Sequence, residues 1–493
     1  MHISSLPGPY GIGCFSKEAY AFVDRLASAG QAYWQILPIG TISYGDSPYQ
    51  SFSIHAGNPY FIDLSALIER GLLTAAECDA ALPAQDEARV DYALQYERRY
   101  ALLHKAFDRS GWRSDVAFAA FCKAQAAWLD DYALYTVIKA ANGAVGWADW
   151  PAPLRDRAPE ALAQARRENA EELAFYQYLQ FLFFTQWRAL KAYANARGVR
   201  IIGDIPIYVA YDSADVWADR AQFRLDESGR MTDVAGVPPD GFSADGQVWG
   251  NPLYDWAYMR ENGYRWWIDR IGHAIGMFDV VRIDHFRGFD EFFAIRNGEA
   301  TARNGRWETG PGKALFRALH AVYGELPIIA EDLGYMTDSV RALVEACGYP
   351  NMKVFEFAFD ARDSSNMASE YLPENYPENC AAYTGTHDNE TVMGWCRSIT
   401  EGERASLCRY LGVPAVGADT PVRIIERIAH SRAVLCVIPI QDYLCLDNAA
   451  RMNRPSTVGG NWMFRVTREQ LSSALFSVMR RIATESGRAA EDA

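Results

Sequence analysis

Asp279-Val280-Val281-Arg282-Ile283-Asp284-His285-Phe286-Arg287-Gly288 joins an apolar, β-branched run to a group of charged and titratable side chains. The run suits a buried strand. Side chains two apart on a strand share a face, so Arg282 and Asp284 point the same way. A buried Asp beside a fixed Arg stays ionised, because the opposite charge offsets desolvation. An ionised carboxylate at the end of a buried strand is a candidate nucleophile. A structural ion pair is the other reading of the same residues.

Further acids stand at matching places: Asp204 after Ile202, Glu331 and Asp332 after Ile328-Ile329-Ala330, and His387-Asp388 after Thr384-Gly385-Thr386. Polar loops alone explain any one of these, and explain the set less well. Cleaving a glycosidic bond takes one ionised carboxylate and one protonated acid flanking the anomeric carbon. A gap of roughly 5 Å gives retention through a covalent glycosyl-enzyme, and a wider gap gives inversion. The rival chemistry is a divalent metal held by the same acids. Against it stands the lack of a Gly-rich phosphate loop or a dense Lys/Arg set at the strand ends. The pattern by itself does not choose between Glu331 and Asp332.

These residues need a frame that brings distant segments together. From Val199 the chain repeats apolar strand, polar loop and helix. The strand candidates are Arg200–Val209, Asp279–Phe286, Leu326–Leu333, Met352–Phe359, Cys380–Asp388 and Leu435–Leu444, with helices such as Gly312–Tyr323 and Thr337–Ala346 between them. Ala32–Gly40 and Asn58–Leu64 add two earlier extended pieces, after a helix over Glu18–Ala29. Eight strands alternating with helices imply an α/β fold with a parallel sheet, and a (β/α)8 barrel of the TIM type over an open doubly wound sheet. In such a barrel the strand C-termini converge on one mouth, where these acids would meet. Residues 67–198 are rich in Ala, Leu, Glu and aromatics with helical periodicity, which predicts a mainly helical insertion. The barrel is then expected in two parts, 1–66 and 199–493. Residues 236–252 form a long Gly/Pro/Asp-rich loop within the second.

Composition bounds the partners. A net charge of −14 argues against nucleic acid and suits a neutral substrate. No apolar run approaches a membrane span, and the first residues have neither the basic start nor the apolar core of a secretory signal. The nine Cys are scattered without a C-x-x-C pair, suggesting neither disulfide framework nor zinc site, and the cytoplasm is the simplest compartment.

The ordered motifs resemble a known family. They are His2-Ile3-Ser4-Ser5-Leu6-Pro7, Tyr10-Gly11-Ile12-Gly13, Trp34-Gln35-Ile36-Leu37-Pro38 and Asp46-Ser47-Pro48-Tyr49-Gln50. Gly203-Asp204-Ile205-Pro206-Ile207-Tyr208, Ala235-Gly236-Val237-Pro238-Pro239-Asp240 and Gly246-Gln247-Val248-Trp249-Gly250-Asn251-Pro252 follow. Then come Arg282–Gly288, Ala330-Glu331-Asp332-Leu333-Gly334, Gly385-Thr386-His387-Asp388-Asn389-Glu390-Thr391 and Asn461-Trp462. The chain is similar along most of its length to the 4-α-glucanotransferases (amylomaltases, or disproportionating enzymes) of the α-amylase superfamily.

That resemblance implies a retaining enzyme that moves α-1,4-glucan segments to the 4-OH of glucose or a maltooligosaccharide. By position, Asp284 resembles the nucleophile, Arg282 the residue aligning it, and Glu331 the general acid and then base. Asp388 resembles the third acid, which binds ring hydroxyls, with His387 beside it. Ser47, Tyr49, Gln50, Asp240, Trp249, Asn251 and Asn461 would line the substrate subsites, with 236–252 as a flap; Trp249 and Tyr49 could instead brace their loops. Asp204 is as readily a hydrogen-bonded support as a substrate contact. The chemistry needs no cofactor and no metal, and a monomer or weak homo-oligomer is expected. An α-glucan hydrolase on the same scaffold is the alternative, and a silent glucan-binding protein a third reading that the intact acids oppose. Three departures stand out: Cys14 and Ser16 in the first loop, Pro455-Ser456-Thr457 where Pro-Gly-Thr is usual, and an opening within the first motif. The last is expected to weaken the barrel edge near Met1.

Overall fold

The computed structural model describes residues 1–43, 45–239, 243–334, 336–359 and 369–490. Its eleven strands are β1 (Tyr33–Gln35), β2 (Arg200–Pro206), β3 (Asp233–Val237), β4 (Gln247–Pro252), β5 (Val280–Asp284), β6 (Glu291–Arg296), β7 (Arg306–Thr309), β8 (Ile328–Ala330), β9 (Asn351–Val354), β10 (Cys380–Tyr383) and β11 (Leu435–Val437). Seven of them form one sheet in the order β1-β2-β5-β8-β9-β10-β11. Every pair in it is parallel. The sheet curls into a nearly closed TIM-type barrel wrapped by helices. Among the described residues no ladder joins β11 back to β1, and a cavity of about 340 Å³ lies between them, lined by Tyr33, Gln35, Leu435 and Val437.

Strand parity sorts the core into two layers. Ile202, Ile329, Met352, Val354, Ala381 and Tyr383 meet inside the barrel, with Val280 packed against them. Ile201, Val281, Ile283, Ile328 and Ala330 face the other way, into the helical layer. Alternating side chains on each strand produce this division.

One expected strand is absent. Asn58–Leu64 is a 3-10 turn over Pro59–Phe61 that runs into the helix Leu64–Glu69. Asn58 caps the first through the Tyr60 N–H, and Asp63 caps the second through the N–H groups of Ser65 and Ala66. Pro59 at the first helical position reinforces that start. The apolar residues there are buried as one turn of helix, a pattern that a short extended run imitates.

From Leu64 to β2 the chain is mainly helical. Val116–Ala141 and Ala170–Asn195 are its longest members, and they interdigitate aromatics: Phe118 meets Tyr178 at 5.5 Å and Phe121 meets Phe184 at 5.8 Å between centroids. Gln180 ties the second helix to the barrel by bonding both the N–H and the C=O of Gly57, at 2.7 and 2.9 Å. A side chain on Gly57 would run into the Phe183 ring, so only glycine permits this approach.

The segment expected as a loop over 236–252 is partly sheet. β3 pairs antiparallel with β4 and with β6, and β6 with β7, giving the order β4-β3-β6-β7 beside the barrel mouth. Its Gly and Pro residues had pointed to a loop. Gly236 is needed because a Cβ there would strike the Gln247 carbonyl on the neighbouring strand.

Candidate active site

The inward parity that fills the barrel with Ile202, Val280 and Ile329 continues one step along each strand to Asp204, Arg282 then Asp284, and Glu331. The layer above the hydrophobic plug is therefore charged. Asp332 has the opposite parity, and its Oδ1 accepts the Met352 N–H at 2.9 Å, which binds β8 to β9. Parity thus separates the two neighbouring acids that composition alone left equivalent.

Arg282 sits between two carboxylates and is only 4% exposed. Nη1 donates to Asp204 Oδ2 at 2.7 Å and Nη2 to Asp284 Oδ1 at 2.8 Å. The planar guanidinium suits this double engagement, which also fixes the orientation of Asp284.

Glu331 occupies a different environment. Its Oε2 accepts the His285 backbone N–H at 2.6 Å and its Oε1 that of Leu333 at 2.8 Å. Burial, with the nearby charge of Asp284 second, pushes its carboxyl up to about 8 against the pull of Arg282 and those two N–H groups. The site so holds a group able to carry a proton at neutral pH close to Asp284.

A continuous chain of polar contacts links Asp284 to Asp388 across the mouth. Asp204 Oδ2, shared with Arg282, accepts the Tyr49 hydroxyl at 3.0 Å. That hydroxyl lies 3.5 Å from His387 Nδ1, and the Tyr49 and His387 rings stack with centroids 5.0 Å apart at 15°. His387 Nε2 stands 3.4 Å from Asp388 Oδ1. Asn453 Nδ2 donates to the same oxygen at 2.6 Å, and Arg451 Nη2 donates to the Asp388 carbonyl at 2.6 Å. Asp388 is 47% exposed, at the solvent side of the mouth.

The other expected residues are placed as follows. Trp249, on β4, presents its ring edge-to-face to His285 at 4.8 Å and faces Tyr208 at 6.2 Å. It therefore overhangs the strand end that carries Asp284. Ser47 Oγ accepts the Tyr49 N–H at 3.3 Å within the first loop. Asn251 is buried and donates Nδ2 to the Val209 carbonyl at 2.8 Å, pinning β4 to the segment after β2. Asn461 is buried too: Oδ1 accepts from Arg454 N, and Nδ2 donates to Thr457 O and Oγ1. It closes the turn that contains Ser456, whose φ of +62° is the conformation a glycine would adopt freely. Asp240 lies outside the described residues.

Sequence reasoning passed over His285 and Asn453. His285 follows Asp284 directly, so its position was visible, but its left-handed backbone (φ +54°), which aims its N–H at Glu331, was not. Asn453 carried no signal, because it reaches Asp388 from a loop 65 residues away.

Residues 1–471 match the family described as 4-alpha-glucanotransferase. A 4-alpha-glucanotransferase of Thermus thermophilus is 47% identical over 482 residues, covering 96% of this chain and 95% of its own. One from Clostridium butyricum is 42% identical over 490 residues, covering 99% and 100%. The solved amylomaltase from Streptococcus agalactiae, in complex with acarbose, superposes with a TM-score of 0.95 at 39% identity, covering 99% of this chain and 98% of that one. With family motifs, near-complete coverage and this backbone agreement together, the chain belongs to the 4-alpha-glucanotransferase family.

Proposed function

We propose that the protein disproportionates α-1,4-glucans and maltooligosaccharides by a double displacement at Asp284, Glu331 and Asp388. An oxygen of Asp284 attacks the anomeric carbon of the donor. The bond from that carbon to the leaving 4-oxygen breaks, and Glu331 gives its proton to that oxygen. Arg282, holding Asp284 Oδ1, leaves the other oxygen as the attacking one. In the second half the acceptor 4-hydroxyl passes its proton to Glu331, its oxygen attacks the same carbon, and Asp284 departs. Two inversions give net retention. Asp388 grips hydroxyls of the reacting ring, steadied by His387, Asn453 and Arg451.

The single observation that carries this reading is the contrast between two nearby carboxyl groups. Asp284 is engaged by a guanidinium, whereas Glu331 is buried and pushed up to about 8. Such a pair supplies a nucleophile and a proton donor at one pH. Trp249, above His285, acts as part of a lid that keeps water from the glycosyl-enzyme while sugar binds.

A reducing cytoplasm fits the nine unpaired cysteines. Among the described residues no helix is long and apolar enough to cross a membrane. The large apolar side chains exposed there, such as Tyr96, Val116, Val322 and Val458, lie far apart along the chain, as suits a monomer or weak homo-oligomer.

Incubation with maltotriose tests the proposal. Transfer gives a ladder of longer chains with glucose, whereas only shorter sugars would mean hydrolysis. Asp284→Asn is expected to lower turnover by at least about 1,000-fold. Normal turnover in that variant would remove the nucleophile assignment.

A further inference from the structure

Glu356 lies just past the end of β9, in the 3-10 turn Phe355–Phe359 at the mouth side of the barrel, yet the proposed chemistry leaves it unused. It is 7% exposed, its backbone N–H donates to the Thr384 carbonyl at 3.3 Å, and Oε1 is buried with no hydrogen-bond partner among the described residues. A buried acid in that state calls for an explanation.

The surroundings supply one. The Glu356 carboxyl lies beside the Asn389 side chain: a Cβ on Gly385 would stand 3.0 Å from Glu356 Oε1 and 3.1 Å from Asn389 Cβ. Asn389 Oδ1 in turn accepts from Thr386 N at 2.9 Å and from Thr386 Oγ1 at 2.8 Å. Thr386 Oγ1 also accepts the Asp388 N–H at 3.3 Å. The hydrogen-bonded pair Asn389–Thr386, packed against Glu356, thus ends on the backbone of Asp388. The Glu356 carboxyl also packs directly under Gly385, the residue opening the turn.

We propose that Glu356 is a positioning residue for the reaction, bracing from beneath the Gly385–Glu390 turn that presents Asp388 to the sugar ring. The inference rests on the role proposed above for Asp388.

The acid acts as a neutral group. Burial first, then the charges of Asp442 and Glu390, push it well above the usual carboxylic range, opposed by Arg451 and by the Asn389 side chain. Cys396 faces it from the helix Val392–Ser398. Asp442 accepts Thr384 Oγ1 at 2.6 Å and the Val392 N–H at 2.8 Å. Glu390 accepts Ser398 Oγ at 2.6 Å and is also bonded by Asn448. With both neighbouring acids occupied in this way, Glu356 is left to pack against Asn389. An amide would do the same with the same shape.

A double-mutant cycle tests this, using the full chain, an α-maltosyl fluoride donor and a maltose acceptor. The fluoride leaving group keeps weak variants measurable. Glu356→Gln is expected within about 3-fold of the parent in kcat. Glu356→Ala is expected to lose about 10-fold or more in kcat with KM changed by less than about 3-fold. In an Asp388→Asn background the same Ala change should cost less than about 2-fold, because the group it positions is already disabled. A full loss in that background would show that Glu356 acts independently of Asp388 and overturn the proposal. Equal damage from Gln and Ala would overturn it as well. Parent-like turnover in Asp388→Asn alone would remove the role of Asp388 itself, so the two failures are told apart.

Discussion

The His285 backbone N–H meets Oε2 of Glu331 at 2.6 Å, from a residue whose φ of +54° few non-glycine residues adopt. Together with the Leu333 N–H on Oε1, it fixes the plane of a carboxyl group that, in the mechanism proposed above, gives up a proton in one half-reaction and recovers it in the other. Two donors on the same group favour its anion, whereas burial and Asp284 favour its acid. The balance lies on the acid side, and it can be measured.

Glu331 is pushed up to about 8, and the proposed first half-reaction uses its protonated form. The value is raised, so the active form is lost as pH rises through it. We expect kcat/KM to fall on the alkaline side with an apparent pKa near 8, since this parameter reports the free enzyme. Replacing Asp284 by Asn removes the neighbouring charge, so the Glu331 carboxyl is expected to titrate at lower pH in that variant, followed by carbon NMR of labelled glutamate. An unmoved titration would break the link between the two acids.

Arg282→Lys tests whether one cation must reach both carboxylates. A lysine ammonium lacks the fork that spans Asp204 and Asp284. Leaving a buried carboxylate without its partner costs about 3–5 kcal/mol, so Tm is expected to fall along with an approximately 100-fold or greater loss of kcat. Adding Asp204→Asn should recover stability but not turnover. Recovery of turnover would mean that Arg282 serves Asp204 rather than Asp284.

Trp249→Ala opens the roof above His285. The expected result is a higher share of hydrolysis, read as glucose released against oligosaccharides disproportionated, with the apparent KM for the acceptor raised by about 3-fold or more. An unchanged partition would assign Trp249 to bracing its own strand.

Asn251→Ala separates support from substrate contact. It leaves the buried Val209 carbonyl without its donor, a loss of about 1–3 kcal/mol. Thermal unfolding should shift down while KM at low temperature stays within about 2-fold of the parent. A large rise in KM without loss of stability would return Asn251 to the substrate.

The barrel was legible in the sequence because β-branched runs such as Val280-Val281 and Ile201-Ile202 recur with helices between them. Their ends were read too long. Met352–Phe359 stops as strand at Val354 and continues as a 3-10 turn, and Leu435–Leu444 stops at Val437 before the helix Ile440–Tyr443. Hydrophobicity persists past these points because the turns are buried too. The pairing of Arg282 with Asp284 followed from their spacing of two. Its second partner, Asp204, comes from a neighbouring strand, and such a contact has no local trace. The antiparallel sheet beside the mouth went unread because β3 and β4 lie among glycines and prolines, and β6 and β7 follow one another without a helix between.

The space between β1 and β11 gives the hoop of strands a seam. Elsewhere in the barrel each strand is paired on both sides; among the described residues no strand-to-strand ladder crosses between these two rims. Thermal motion should unzip the barrel from this place first, so deuterium is expected to enter the amides of residues 435–437 well before those of residues 280–284 in the middle of the sheet. Asp284 at the end of β5 and Glu331 just after β8 lie away from the seam, on strands paired along both edges, and so would keep their geometry while the rim breathes.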